Sequence, residues 1–161
     1  METTEPSVFG LFVEWLYTKE IKETPYNIEA PRYFGDKELP PTSDLIKLWV
    51  LAEYLQVPRL QNYTIDLIRR RTERNSWTIL ALPNAYQLSE SNLLRKFFID
   101  QMCWSRITAE TLKGIYKRLE PGIVCDLLIA ERTKSMDPDQ VNPLHDMKNY
   151  HVGEKQNTNA K

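Results

Sequence analysis

Apolar positions recur at helical spacing almost from the first residues of the chain. In "SVFGLFVEWLYTKEI", residues 7–21, the side chains of Val8, Phe9, Leu11, Phe12, Val13, Trp15, Leu16 and Tyr17 fill an arc of roughly 240° on a helical projection. Only Gly10 and Glu14 remain in a narrow polar wedge. So wide an arc predicts a central helix covered on most sides, and Pro6 suits its first turn, where a missing N–H is no loss. A second helix of the same kind is expected over "DLIKLWVLAEYL", residues 44–55, capped by Thr42 or Ser43, with Lys47 and Glu53 as its polar exceptions. "QVP" then interrupts, because a residue before proline avoids the helical region. From Pro58 to about Arg71 the pattern narrows to an ordinary amphipathic helix. Leu60, Tyr63, Leu67 and Ile68 face inward there, and Gln61, Asn62 and Asp66 outward.

Short helices are expected over the next sixty residues. One runs from Ser76 to about Leu88, bent or delayed by Pro83, and one from Ser91 to Trp104. A third starts at Thr108, with Leu112, Ile115, Tyr116 and Leu119 in one stripe. A fourth opens at Pro121 with Ile123, Val124, Leu127 and Leu128 inward. Between the first two helices, residues 18–42 carry prolines at 25, 31, 40 and 41 among charges and scattered aromatics, which predicts a long loop. A short extended piece near Glu20–Ile21 is compatible with it. From Ser135 onward apolar residues are few and without period, so this tail is expected to be disordered: it buries too little surface to offset its ordering entropy. The fold class is therefore mainly α, a bundle of short helices with little or no sheet. It divides into residues 1–72, a helical extension over 73–134, and a tail over 135–161.

Composition narrows the function classes more than it selects one. Of 161 residues 42% are hydrophobic and 27% charged, enough for a sizeable core, and the formal net charge of -1 provides no global field for nucleic acid or membrane. Cys103 and Cys125 both sit in apolar runs and are expected to be free, buried thiols in a reducing compartment. No secretory signal or membrane span is expected, which points to an intracellular, cytoplasmic or nuclear protein.

Candidate chemistry is sparse. His145 and His151 both fall in the tail, where a catalytic base would lack the precise support it needs. Neither cysteine has a second ligand at metal-binding spacing, and no glycine-rich phosphate loop is present, so no catalytic, metal or cofactor residue is nominated. Glu14 and Glu53, embedded in the most apolar helices, are read as structurally paired acids. The one basic cluster, Arg69, Arg70, Arg71 and Arg74, could contact nucleic-acid phosphates. The reading as a solvated helix end, with cations against the dipole, is favoured, because acidic residues surround it. Asn62–Thr64 matches a glycosylation acceptor by chance, and Trp15, Trp49, Trp77 and Trp104 read as core, one per helix.

Two stretches in order carry a resemblance. "FGLFVEWLYTKEI" resembles the helix ending in the "YTG-x-I" signature of BTB/POZ domains, with Lys19 in place of the glycine. "DLIKLWVLAEYLQVPRLQNYTIDLI" resembles the helix–break–helix that follows it, through Leu48, Ala52, Leu55, Val57 and Leu60. The wording is similar to that of BTB proteins of filamentous fungi. Their helical extension often carries "LR-x-x-x-x-D-x-x-x-W", met here by Leu94, Arg95, Asp100 and Trp104. The resemblance covers residues 5–72 well and 73–132 loosely.

It implies a non-enzymatic protein–protein interaction module, a truncated adaptor or scaffold, corresponding to the helical C-terminal half of that fold. The strand-rich half, which in the family carries most of the dimer surface and the element that meets cullin-type ubiquitin-ligase scaffolds, has no counterpart here. No residue is therefore assigned to either role. Partners expected are a protein of unspecified identity or a second copy of the chain, with no membrane and no cofactor. Two alternatives stand beside this: a gene-model fragment without independent function, and a nucleic-acid-associated factor using Arg69–Arg74. If the first helix lacks its usual cover, Phe9, Phe12, Val13 and Leu16 are the candidate partner-binding residues.

Overall fold

The computed structural model describes residues 5–21, 42–74, 82–88, 92–104, 119–137 and 139–153, together with position 113. It is mainly helical, a bundle of short helices with no strand among the described residues. Six α-helices are described: α1 (Pro6–Thr18), α2 (Thr42–Tyr54), α3 (Pro58–Arg74), α4 (Leu82–Leu88), α5 (Asn92–Trp104) and α6 (Pro121–Met136). Two 3-10 turns follow, Pro143–His145 and Met147–Tyr150. Of the long loop expected over residues 18–42, residues 22–41 lie outside the described residues, while Thr18 and Thr42 belong to α1 and α2; most of the helix expected from Thr108, Ser76 and Trp77 lie outside them as well.

The centre is α2. Leu45, Ile46, Leu48, Trp49 and Ala52 are each buried, so this helix is apolar nearly all round because it has neighbours nearly all round. Helix α3 packs against it most extensively, through Leu60, Ile65, Leu67 and Ile68. Leu82 and Ala85 of α4 close one side, α4 and α2 both being in contact, and α5 adds Leu94, Phe97 and Phe98 to the same core. Helix α6 lies on α5 through Ile123 and Leu127, while Leu128, expected inward, is 62% exposed. Only one narrow side of α6 is covered, so its i+1 neighbours face water.

The break between α2 and α3 is sharper than a proline alone would make it. Gln56 has φ 55°, in the left-handed region. Val57 N–H reaches back to the Ala52 carbonyl at 2.9 Å and Gln56 N–H to Glu53 at 3.0 Å, the paired bonds of a Schellman stop. A non-glycine residue pays about 1–2 kcal/mol for that conformation. Because the Gln56 side chain is exposed, Gln56→Gly is expected to stabilise the chain by about 0.5–1 kcal/mol after the added freedom of the unfolded state is subtracted. Chemical denaturation would read this as a higher midpoint at unchanged slope.

Two expectations are corrected. Helix α1 is not central: only Val8 and Trp15 are buried, because α2 alone among the described helices packs extensively against it. Its first turn is tied to α2 by an ion pair, Lys47 Nζ to Glu5 at 2.7 Å. The tail is not disordered over residues 139–153, where Leu144 and Tyr150 are buried against α5 and α3. Burying a large side chain stabilises by about 1.5–3 kcal/mol, and Met147 and Val152 pack partly buried against the same core beside these two anchors. Residues 154–161 lie outside the described residues.

Candidate functional site

Two surfaces stand out, one bare and one occupied. The bare one is the outer face of α1. Positions 9, 12, 13 and 16 follow helical spacing on one side. Phe9 is 53% exposed and Leu16 43%, while Phe12 and Val13 are half-buried and Phe12 leans on Phe9 with ring centroids 6.1 Å apart. Tyr17 extends the patch at 87% exposure. Below it α1 ends at Lys19, whose φ of 59° is again left-handed. Its N–H caps the Trp15 carbonyl at 2.8 Å, and its ammonium lies 4.7 Å from the centre of the Trp15 ring. Ile21, the next apolar residue, is buried and donates its N–H to the Tyr63 hydroxyl at 3.0 Å, which fixes the chain leaving α1 onto α3.

The occupied surface is the face of α3 and α5 that holds the tail. Asn62 of α3 grips residue 152 by its main chain: its Nδ2 donates to the Val152 carbonyl at 3.1 Å and its Oδ1 accepts the Val152 N–H at 2.7 Å. One turn on, Asp66 meets His151 Nε2 at 2.8 Å. The buried Tyr150 lays its ring edge-on to Phe97, centroids 5.3 Å apart, and donates its hydroxyl to Asp100 at 2.7 Å. Lys96 pairs with the same carboxylate and sits 5.0 Å over the ring. Burial first, and the Asp100 carboxylate second, push the Tyr150 phenol far above its usual range, so it remains a donor.

Asn62 and Asp66, expected to be solvated, are the residues that recognise the tail, and Gln61 beside them is buried. Their signal lay in the tail itself: Leu144, Met147 and Tyr150 recur every three residues, the spacing that aligns side chains on a 3-10 turn. His151, set aside because of a tail expected to be disordered, is held in place by Asp66. The glycosylation acceptor reading of Asn62 meets a carboxamide already engaged on both atoms.

The extension pattern resolves into joints. Leu94 is core. Arg95 donates to the Tyr86 carbonyl at 3.0 Å and stacks 5.1 Å over its ring, fastening α4. Asp100 receives the tail, and Trp104 takes the Lys134 ammonium of α6 at 4.5 Å from its ring. Tyr86 in turn donates to Asp126 of α6 at 2.7 Å, and burial with that carboxylate raises its phenol well above the usual value.

Of the basic cluster, Arg69 is paired with Glu73 at 2.8 Å and bonded to Gln101 at 3.3 Å, Arg71 is engaged as well, and Arg70 is exposed. The Arg74 side chain lies outside the described residues. Glu14 and Glu53 both have partners.

Among the described residues no group of three His, Cys, Asp or Glu side chains could hold a metal ion. No helix there is long and apolar enough to cross a membrane.

The thiols part company. Cys103 is buried, and burial followed by the Glu131 carboxylate pushes its pKa up to about 12, whereas Cys125 is exposed on α6. The expectation that both are buried holds for Cys103 alone. A thiol-specific reagent at mildly alkaline pH is expected to titrate Cys125 at once and Cys103 only on unfolding. Two equally fast thiols in the folded chain would contradict the packing of α6 on α5.

No protein-family model matches the chain, and no curated protein and no solved structure matches it either.

Proposed function

We propose that the chain is a non-enzymatic protein–protein interaction module of BTB/POZ type that engages its partner, a second copy included, through the outer face of α1. The observation that carries this reading is the stripe Phe9, Phe12, Val13 and Leu16, apolar at helical spacing and covered by no described element on its outer side. Leaving such side chains in water forfeits about 1.5–3 kcal/mol for each one that a partner could bury in full. Two local features support the family part of the reading. The residue in the glycine position of the "YTG-x-I" signature, Lys19, has the left-handed backbone that glycine adopts without strain. The helix–break–helix that follows is built as a central apolar helix, a left-handed stop and a proline-started amphipathic helix.

The test is the double substitution Phe9→Glu with Leu16→Glu. The far-ultraviolet spectrum is expected to stay helical, because both side chains point out of the core. Any rise in mass with concentration, followed by light scattering behind size exclusion, is expected to disappear. Each lost anchor is worth about 2 kcal/mol of association, near thirtyfold in dissociation constant. A wild-type chain that stays monomeric, unfolds in one two-state step and is unaffected by the pair overturns the reading.

A further inference from the structure

We propose that the face of α3 and α5 holding the tail is a peptide-recognition site, and that its ligand in trans is residues 143–152 of a second copy of this chain. The inference is independent of the α1 surface and rests on how the tail is held. No helix continues into it. Instead three polar side chains on the helices each take a separate tail feature: Asn62 the peptide groups of residue 152, Asp66 the imidazole of His151, and Asp100 the phenol of Tyr150. Side-chain capture of an extended main chain together with one deep aromatic anchor is how a surface binds a peptide rather than how a helix packs on its neighbour.

The segment is also self-contained. Asn142 accepts the Leu144 N–H at 3.0 Å, Asp146 accepts the Lys148 N–H at 3.0 Å, and Asn149 donates to the Pro143 carbonyl at 3.0 Å. These bonds travel with the segment if it leaves. By contrast, among the described residues of the link from α6, 137 and 139–141, the hydrogen bonds stay within it: Asp139 N–H to the Asp137 side chain at 3.2 Å and Gln140 N–H to the Asp137 carbonyl at 3.1 Å. Neither of these bonds fixes which copy's site the segment enters. A short tether gives the chain's own tail an effective concentration of about a millimolar, so the wild-type chain keeps its own tail until that advantage is removed.

Mixing two full-length chains removes it. Tyr150→Ala spoils the ligand and leaves the site intact. Asn62→Ala with Asp100→Ala spoils the site and leaves the ligand intact. With Phe9→Glu and Leu16→Glu added to both so that α1 cannot associate, each is expected to run as a monomer alone, and the two together to form a one-to-one pair, seen as a doubling of mass by light scattering. Pairing in chains whose α1 face is disabled is separate from association through α1. A mixture that stays monomeric overturns the proposal.

Should Tyr150→Ala lose its helical spectrum, amide exchange in the wild-type chain decides. Leu144, Lys148, Asn149, His151 and Val152 are expected to exchange together, about tenfold or more faster than Ile65 and Ile68 of α3. Exchange of both groups at one rate makes the tail part of the core and overturns the proposal.

Discussion

Phe97→Ala is expected to cost about 3–5 kcal/mol, the usual range for emptying a buried phenylalanine site. The upper half of that range is the expectation here. Phe97 is fully buried, with the Phe98 ring edge-on at 5.4 Å on one side and the Tyr150 ring at 5.3 Å on the other, so neither neighbour can collapse into the space without losing its own packing. Much of the loss is also delocalised: without Phe97 the Tyr150 anchor loosens, and Leu144 and the clamp on Val152 loosen with it. Urea unfolding should therefore show a lower midpoint, and amides of residues 144–152 should lose protection before those of α2. Retention of full tail protection in Phe97→Ala would mean that the ring is not what holds the tail.

Alkali is expected to unfold the chain through its hydroxyl and thiol donors. Cys103, Tyr86 and Tyr150 all carry raised values in the folded state, the two phenols beyond the range of ordinary titration. The folded form therefore keeps protons that the unfolded form gives up. Stability from these groups is present in full below their unfolded values, near 9 for the thiol and 10 for the phenols, and falls as pH rises beyond them. Each fully buried group contributes a slope of about 1.4 kcal/mol per pH unit once its unfolded form ionises. Tyr86, only half-buried, contributes less. By pH 11 the loss is expected to reach roughly 4 kcal/mol. The stability of the chain, measured by urea midpoints between pH 8 and 11, should start to fall first through Cys103 and then steepen. Tyr150→Phe should be less stable at neutral pH, since it removes a donor from a charged acceptor, yet lose less above pH 10. Parallel pH profiles for the two proteins would place the phenol outside the folded core.

The class of the fold was legible in the apolar spacing, and so was the central helix: Leu45, Ile46, Leu48, Trp49 and Ala52 could only be buried together if α2 had neighbours on every side. Helix α1 shows the limit of that argument. An apolar arc as wide as that of α2 states what the helix tolerates, and whether it is covered depends on elements elsewhere, which periodicity along one segment does not report. Of Phe9, Phe12, Val13 and Leu16, the first and last are exposed, whereas Phe12 and Val13 are half-buried. The tail was misread for a different physical reason. Its ordering depends on two anchors and four hydrogen bonds to Asn62, Asp66 and Asp100, all more than forty positions away, while composition averages over the anchors and helical spacing assigns Asn62 and Asp66 to solvent.

Among the described residues the Asn62 carboxamide bonds only to the N–H and C=O of residue 152. It is therefore indifferent to the side chain there and intolerant of one residue, proline, which has no N–H to give. The aromatic position two residues earlier has the opposite rule, since depth and a terminal donor are both demanded of it. A site built this way gauges the distance from a phenol to a free peptide group. Chains with quite different letters after those points would satisfy it, provided that the residue between them still offers Asp66 a polar partner.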